Sequence, residues 1–157
     1  MRENDIPLYA LESLSPVSEF DIIGFTLQYE LCYTNILYML ESAGIPLLAR
    51  DRHSLKNLVV AGGPCVCNPE PVSDFIDLFM LGDGEDLILE VCDLYREHKK
   101  RGSTKEAFLM EAARLEGVYV PSFYDVAYHE DGTLKSFCPN RPGVPANVRK
   151  RVVPDFD

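Results

Sequence analysis

Short apolar runs recur along the first half of the chain. Asp21-Ile22-Ile23-Gly24-Phe25, Leu58-Val59-Val60-Ala61 and Leu78-Phe79-Met80-Leu81 are nearly continuous in hydrophobicity. That is the pattern of strands buried on both faces, and so of parallel pairing. Between the first two, Tyr33, Ile36, Leu37 and Leu40 recur at helical spacing, and Gly44 followed by Pro46 supplies a stop, which predicts a crossover helix. A shorter apolar piece, Ile45 to Ala49, is a candidate further strand, and Pro71 to Phe75 is long enough only for a brief helical link.

After the third run, Leu87, Ile88, Val91, Cys92 and Tyr95 make a stripe on a helix that ends in the charged stretch Arg96 to Arg101. Its acidic start and basic end match the helix dipole. Ser103 with Glu106 has the form of a capping box and predicts a last helix through Phe108, Leu109, Ala112 and Leu115 until Gly117. Beyond it, Tyr124 to His129 and Thr133 to Phe137 flank Asp131-Gly132, a hairpin signal because glycine accepts the positive dihedrals of the turn. The tail from Cys138 to Asp157 carries Pro139, Pro142, Pro145 and Pro154 and reads as a linker or arm. The predicted class is α/β: a Rossmann-like, flavodoxin-like three-layer fold with a mostly parallel sheet, a C-terminal β-hairpin and an extended tail.

In such sheets, ligands bind where the loops after the strands' carboxyl ends converge. Each of the three strands ends in a segment of its own chemistry. After the first, Thr26, Gln28 and Glu30, with Tyr29 among them, offer hydroxyl, amide and carboxylate, or cap the helix that follows. After the second, Gly62-Gly63-Pro64 has no side chain at two successive positions, which suits either a plain turn or close approach of a flat ligand. After the third, Gly82-Asp83-Gly84-Glu85-Asp86 opens a helix as phosphate loops do, but its carboxylates repel phosphate. An amide-bearing or ribose-bearing ligand suits it better than a nucleoside triphosphate.

Composition narrows the classes. The 157 residues, 46% of them hydrophobic, suffice for one globular domain with a core, and the net charge of -10 makes nucleic acid or an anionic membrane a poor partner. The one tight basic cluster, Arg149-Lys150-Arg151, reads as a solvated run. No apolar run reaches bilayer length, and the start, Met1-Arg2-Glu3-Asn4-Asp5, has no signal-peptide core, so the expected location is cytoplasmic. Five cysteines, an odd number, fit reduced thiols. Cys65 and Cys67 lack zinc-knuckle spacing, so no metal is expected, while Cys32 and Cys92 fall on predicted helices and read as small apolar core residues. His53, His98 and His129 pair with no evident nucleophile, and neither GxGxxG nor GxxxxGK[ST] occurs. No catalytic residue is assigned.

The ordered succession DIIGFTLQYE, AGGPCVCNPEP and DLFMLGDGEDLILEV, with VYVPSFYDV and KRVV after it, resembles the amino-terminal cobalamin-binding-like region of radical S-adenosylmethionine (SAM) proteins, in particular a subgroup of bacterial iron-sulfur proteins. The likeness extends over roughly residues 5 to 157. Thr26-Leu27-Gln28 stands where similar proteins have Ser-x-Leu, Gly62-Gly63 matches a later glycine pair, and Gly82-Asp83-Gly84-Glu85 resembles a Gly-Glu-Gly-Glu loop. The resemblance implies that Thr26, Gln28, Tyr29, Glu30, Gly62, Gly63, Pro64, Gly82, Asp83, Gly84 and Glu85 flank a corrinoid or its nucleotide tail.

The Asp-x-His-x-x-Gly motif of cobalt-ligating relatives and the CxxxCxxC motif of a [4Fe-4S] cluster are both absent. By resemblance they belong upstream of Met1 and downstream of Asp157. The implied layout is a partial cobalamin-binding-like domain over 1–117, then a hairpin and linker over 118–157 leading to a radical SAM barrel. Its implied role is non-catalytic cofactor binding, with the iron-sulfur cluster and SAM used elsewhere in an oxidoreductase-type parent. The alternatives are a cofactor-free scaffold or oligomerisation domain packing on that barrel, and a flavodoxin-like nucleotide or flavin module. Missing early strands would leave a sheet edge through which copies of the chain associate.

Overall fold

The computed structural model describes residues 6–153. The fold class is mixed α/β with a C-terminal antiparallel hairpin, as the sequence pattern predicts. The chain forms two compact units, Met1–Asp77 and Leu78–Asp157, so the third apolar run opens the second unit and residues 78–117 share it with the hairpin.

In the first unit β1 (Ile22–Thr26) and β2 (Leu58–Gly62) pair in parallel, in register from Ile22 opposite Leu58 to Thr26 opposite Gly62. Parallel partners need a crossover, and α1 (Tyr33–Ser42) lies within it, burying Ile36 and Leu40 of the expected stripe. Gly44, at φ 70°, ends α1 as the sequence suggests. Asn57 sits at φ 57° before β2, and its side-chain amide donates to the carbonyls of Ser18 and Phe20 at 2.9 and 2.8 Å. Asparagine tolerates that left-handed conformation better than most residues.

Ile45 to Ala49 is not a strand. Pro46 has no N–H to give a ladder, the Arg52 guanidinium takes the carbonyls of Pro46 and Leu47 at 2.7 and 2.8 Å, and Ala49 N–H turns to Asp74 O. The short link expected at Pro71 to Phe75 is a single 3-10 turn over Glu70–Val72.

The same guanidinium organises the floor of this unit. It meets Asp77 through Nε at 3.2 Å and Nη2 at 3.0 Å, and Nη2 also donates to Phe75 O at 2.8 Å. Asp77 Oδ2 accepts Val59 N–H at 2.8 Å, so the pair is tied directly to β2. Both side chains are almost wholly buried, at 2% and 1% exposure.

The second unit holds β3 (Leu78–Met80), α2 (Leu87–Arg101), α3 (Lys105–Ala112), β4 (Val118–Tyr119) and the hairpin of β5 (Tyr124–Tyr128) and β6 (Leu134–Pro139). β3 and β4 pair antiparallel. Helix α2 buries Leu87, Val91 and Tyr95, ends in a basic turn, and stops at Gly102 with φ 66°. Its His98, expected at a basic helix end, is buried against Phe108, and His98 Nε2 lies 2.8 Å from Glu111 Oε2.

The cap of α3 is Thr104, not Ser103. Ser103 N–H is drawn back to His98 O at the end of α2, and Thr104 Oγ1 instead accepts Ala107 N–H at 3.2 Å. Regular α3 closes at Ala112, with turns carrying the chain to Gly117. In the hairpin, Gly132 takes φ 82° and the strands pair with a shift between Ala127 and Tyr128. Tyr119, Tyr124 and Phe137 cluster where the hairpin joins the unit, Tyr124 and Phe137 stacked with centroids 4.7 Å apart and Tyr119 tilted against both.

Among its described residues the proline-rich tail has almost no regular structure, yet these residues are no free arm. Tyr124 Oη donates to Pro145 O at 2.8 Å, Asn140 N–H to Phe123 O at 2.8 Å, and Val144 is buried.

Candidate functional site

Two of the three strand-end loops meet in the first unit. Parallel pairing of β1 and β2 sets their carboxyl ends side by side, and Leu27 N–H continues the ladder to Gly62 O at 2.7 Å. Leu27 itself is fully buried, while Thr26, Gln28, Tyr29 and Glu30 are exposed. The chain then turns at Gly63, φ 98°, and Cys65 N–H returns to Leu27 O at 3.0 Å. A Cβ on Gly63 would lie 3.0 Å from Thr26 Cγ2 and 3.1 Å from the backbone N and O of Leu27. The bare backbone at this glycine therefore admits the neighbouring loop of the same chain. Pro64 stands exposed at its rim.

Sequence reasoning missed the group behind this edge. Cys65 and Cys32, both half-buried, lie near Tyr33 and Glu30, with the exposed Cys67 beside them. Burial pushes the Tyr33 hydroxyl above its ordinary range, and the neighbouring Cys65, Glu30 and Cys32 push it further. Burial likewise raises the Cys65 thiol, with Glu30 and Cys32 adding to the rise and Tyr33 partly opposing it. Tyr33 Oη has no partner at good hydrogen-bond geometry, so its link to Cys65 is a loose one. Cys32 belongs to the turn before α1 and not to an apolar core, which corrects the sequence expectation. A raised thiol is protonated at neutral pH and a poor nucleophile or ligand. Among the described residues no group of three or more His, Cys, Asp or Glu side chains could hold a metal.

The third loop lies in the second unit. Gly82 has φ 95°, and a Cβ there would fall 2.7 Å from Arg151 N and closer still to Arg151 O. Asp83 N–H donates to Arg151 O at 3.0 Å, and Asp83 Oδ2 accepts Val153 N–H at 2.9 Å. Arg151, expected in a solvated charge run, is thus a structural residue, and its guanidinium pairs with Glu90 Oε1 at 2.5 Å. Of this loop, Gly84 alone among its two glycines has open space at its Cβ position, and Glu85 is exposed.

At Gly63 and Gly82 the side-chain direction is already filled by the chain's own atoms. The exposed polar side chains remain free to hydrogen-bond with a ligand.

Residues 1–121 match the family described as radical SAM proteins, N-terminal. An uncharacterized protein of Methanocaldococcus jannaschii is 27% identical over 153 residues, a match covering 89% of this chain and 33% of that protein. The chain thus spans about a third of the length of this curated relative. No solved structure matches. Among the described residues no helix is long and apolar enough to cross a membrane.

Proposed function

This chain belongs to the family of radical SAM protein N-terminal domains, and we propose that it serves such a protein as a non-catalytic scaffold packed on the catalytic barrel. In the parent, a [4Fe-4S] cluster would cleave SAM reductively. The CxxxCxxC motif that holds such a cluster does not occur in this chain, and in this reading the reaction belongs to another part of the parent.

The observation that carries the scaffold reading is the internal use of the glycines. Gly63 receives Thr26 and Leu27, Gly82 receives Arg151, and Asp83 binds the tail through both its amide and its carboxylate. These are devices for holding loops in place. A visible-spectrum titration with hydroxocobalamin tests the choice: the scaffold predicts no saturable change, and saturable binding overturns it. The parent's downstream region, produced separately, should form a stable complex with this chain in size-exclusion chromatography.

A second reading, corrinoid binding, draws support from the exposure of Gln28, Tyr29, Glu30 and Glu85 and the open space at Gly84. Under it, replacing Gln28 and Glu30, both in the loop after β1, with alanine removes whatever binding the titration detects.

A further inference from the structure

Residues 151–153 return to the loop after β3 and are held there by three kinds of contact. Arg151 N–H donates to Leu81 O at 2.8 Å and Asp83 N–H to Arg151 O at 3.0 Å, a parallel bridge centred on Gly82. Val153 N–H donates to the Asp83 carboxylate at 2.9 Å. The Arg151 guanidinium meets Glu90 in the first turn of α2.

The place for this segment is prepared by β4. Leu81 N–H donates to Gly117 O at 2.7 Å, just before β4 begins at Val118. The N–H and C=O of one strand residue face the same side, so Arg151 takes up the edge of the β3 extension where β4 leaves it. Gly82 and Gly117, at φ 95° and 94°, make the room: a Cβ on Gly117 would lie 3.0 Å from Arg151 Cβ and 2.9 Å from Leu81 O.

We infer that residues 151–153 are a closing strap on the Gly82–Glu85 loop, fastened by the Arg151–Glu90 ion pair, and that strap and loop open together as one unit. Closed, the strap occupies the loop's free backbone and the Asp83 carboxylate. Open, it exposes Leu81 C=O, Asp83 N–H and the carboxylates of Asp83 and Glu90, an edge suited to an extended segment carrying a cation. The fastening is weak enough to exchange, because the ion-pair side chains are 23% and 37% exposed and therefore screened by solvent.

Amide hydrogen exchange on the whole chain, resolved by NMR, tests this. The amides of Asp83, Arg151 and Val153 should exchange slowly and at one common rate. Glu90→Gln should raise all three rates together by about 2- to 5-fold, the range an ion pair of this exposure supports, and leave the β3–β4 amides of Phe79 and Tyr119 unchanged. High salt on the unaltered chain should give the same concerted rise without any substitution. Three independent rates, no response to Glu90→Gln or to salt, or a rise shared by Phe79 and Tyr119 would each overturn the strap.

Discussion

Removing the charge at Arg52 should be the most damaging single change in the first unit. In Arg52→Met the apolar stem keeps its volume, but the guanidinium's contacts with Asp77 and with the carbonyls of Pro46, Leu47 and Phe75 vanish. The Asp77 carboxylate, 1% exposed, would keep Val59 N–H and lose its counter-charge. Stripping one partner from a buried pair costs about 3–5 kcal/mol, against a total of about 5–15 kcal/mol for a domain. Urea unfolding followed by circular dichroism measures this directly. With a slope of about 1–3 kcal/mol per molar, the midpoint should fall by roughly 1–5 M, and a variant at the upper end of the cost would be largely unfolded without denaturant. Asp77→Asn should cost a similar amount by removing the negative charge opposite the buried guanidinium. Because each single variant abandons a buried charge, the double variant should cost less than the two singles added, by about 0.5–3 kcal/mol. Single-variant costs under about 1 kcal/mol, the level of an exposed pair, would refute the reasoning by showing that the pair is not desolvated.

The glycines give a paired test: Gly63→Ala, strained at φ 98° and crowded by Leu27, should cost about 1–3 kcal/mol, whereas Gly84→Ala, with open space, should stay within about 0.5 kcal/mol, both read by thermal melting. Iodoacetamide at neutral pH should label the exposed Cys67 and Cys138 before Cys65, whose raised thiol should respond only as pH climbs above the ordinary thiol range; early labelling of Cys65 in peptide mapping would contradict this. The Asp131 carboxyl is lowered by hydrogen bonds from the Thr133 hydroxyl and N–H at 2.6 and 2.9 Å. A depressed carboxyl stabilises the turn above its unfolded value and loses that contribution as pH falls through the folded one, so protection of the Thr133 amide should persist through mild acid and fail only below the ordinary carboxylate range; loss near pH 6 in an NMR titration would count against it.

The local elements were legible before any coordinates. Ile22–Phe25 and Leu58–Ala61 read as strands because a continuous apolar run has one economical use in an α/β chain, and Tyr33–Leu40 as a helix because its period is 3.6 residues. Asp131-Gly132 marked the hairpin because the turn's dihedrals are a property of two residues. Parts of the candidate site were legible for the same reason: loops after buried strands were correctly placed, and Thr26 with Gly62 and Gly63 came together through the pairing of β1 with β2.

Only tertiary structure decided what those loops do. Arg52 looked like one more charge in a polar loop, and its role appears only when Asp77 is folded beneath β2. Arg151 looked solvated because its neighbours are charged, and Ser103 looked like the cap because the end of α2 was not yet wrapped around it. Gly63 and Gly82 announced themselves as positions without side chains, but what fills the vacated space is set by Leu27 in the loop after β1 and by Arg151 far along the chain. Sequence carries propensity and period, which depend on neighbours a few residues away. Whether a bare backbone faces a ligand or the chain itself depends on long-range closure, and that is settled only when the segments meet.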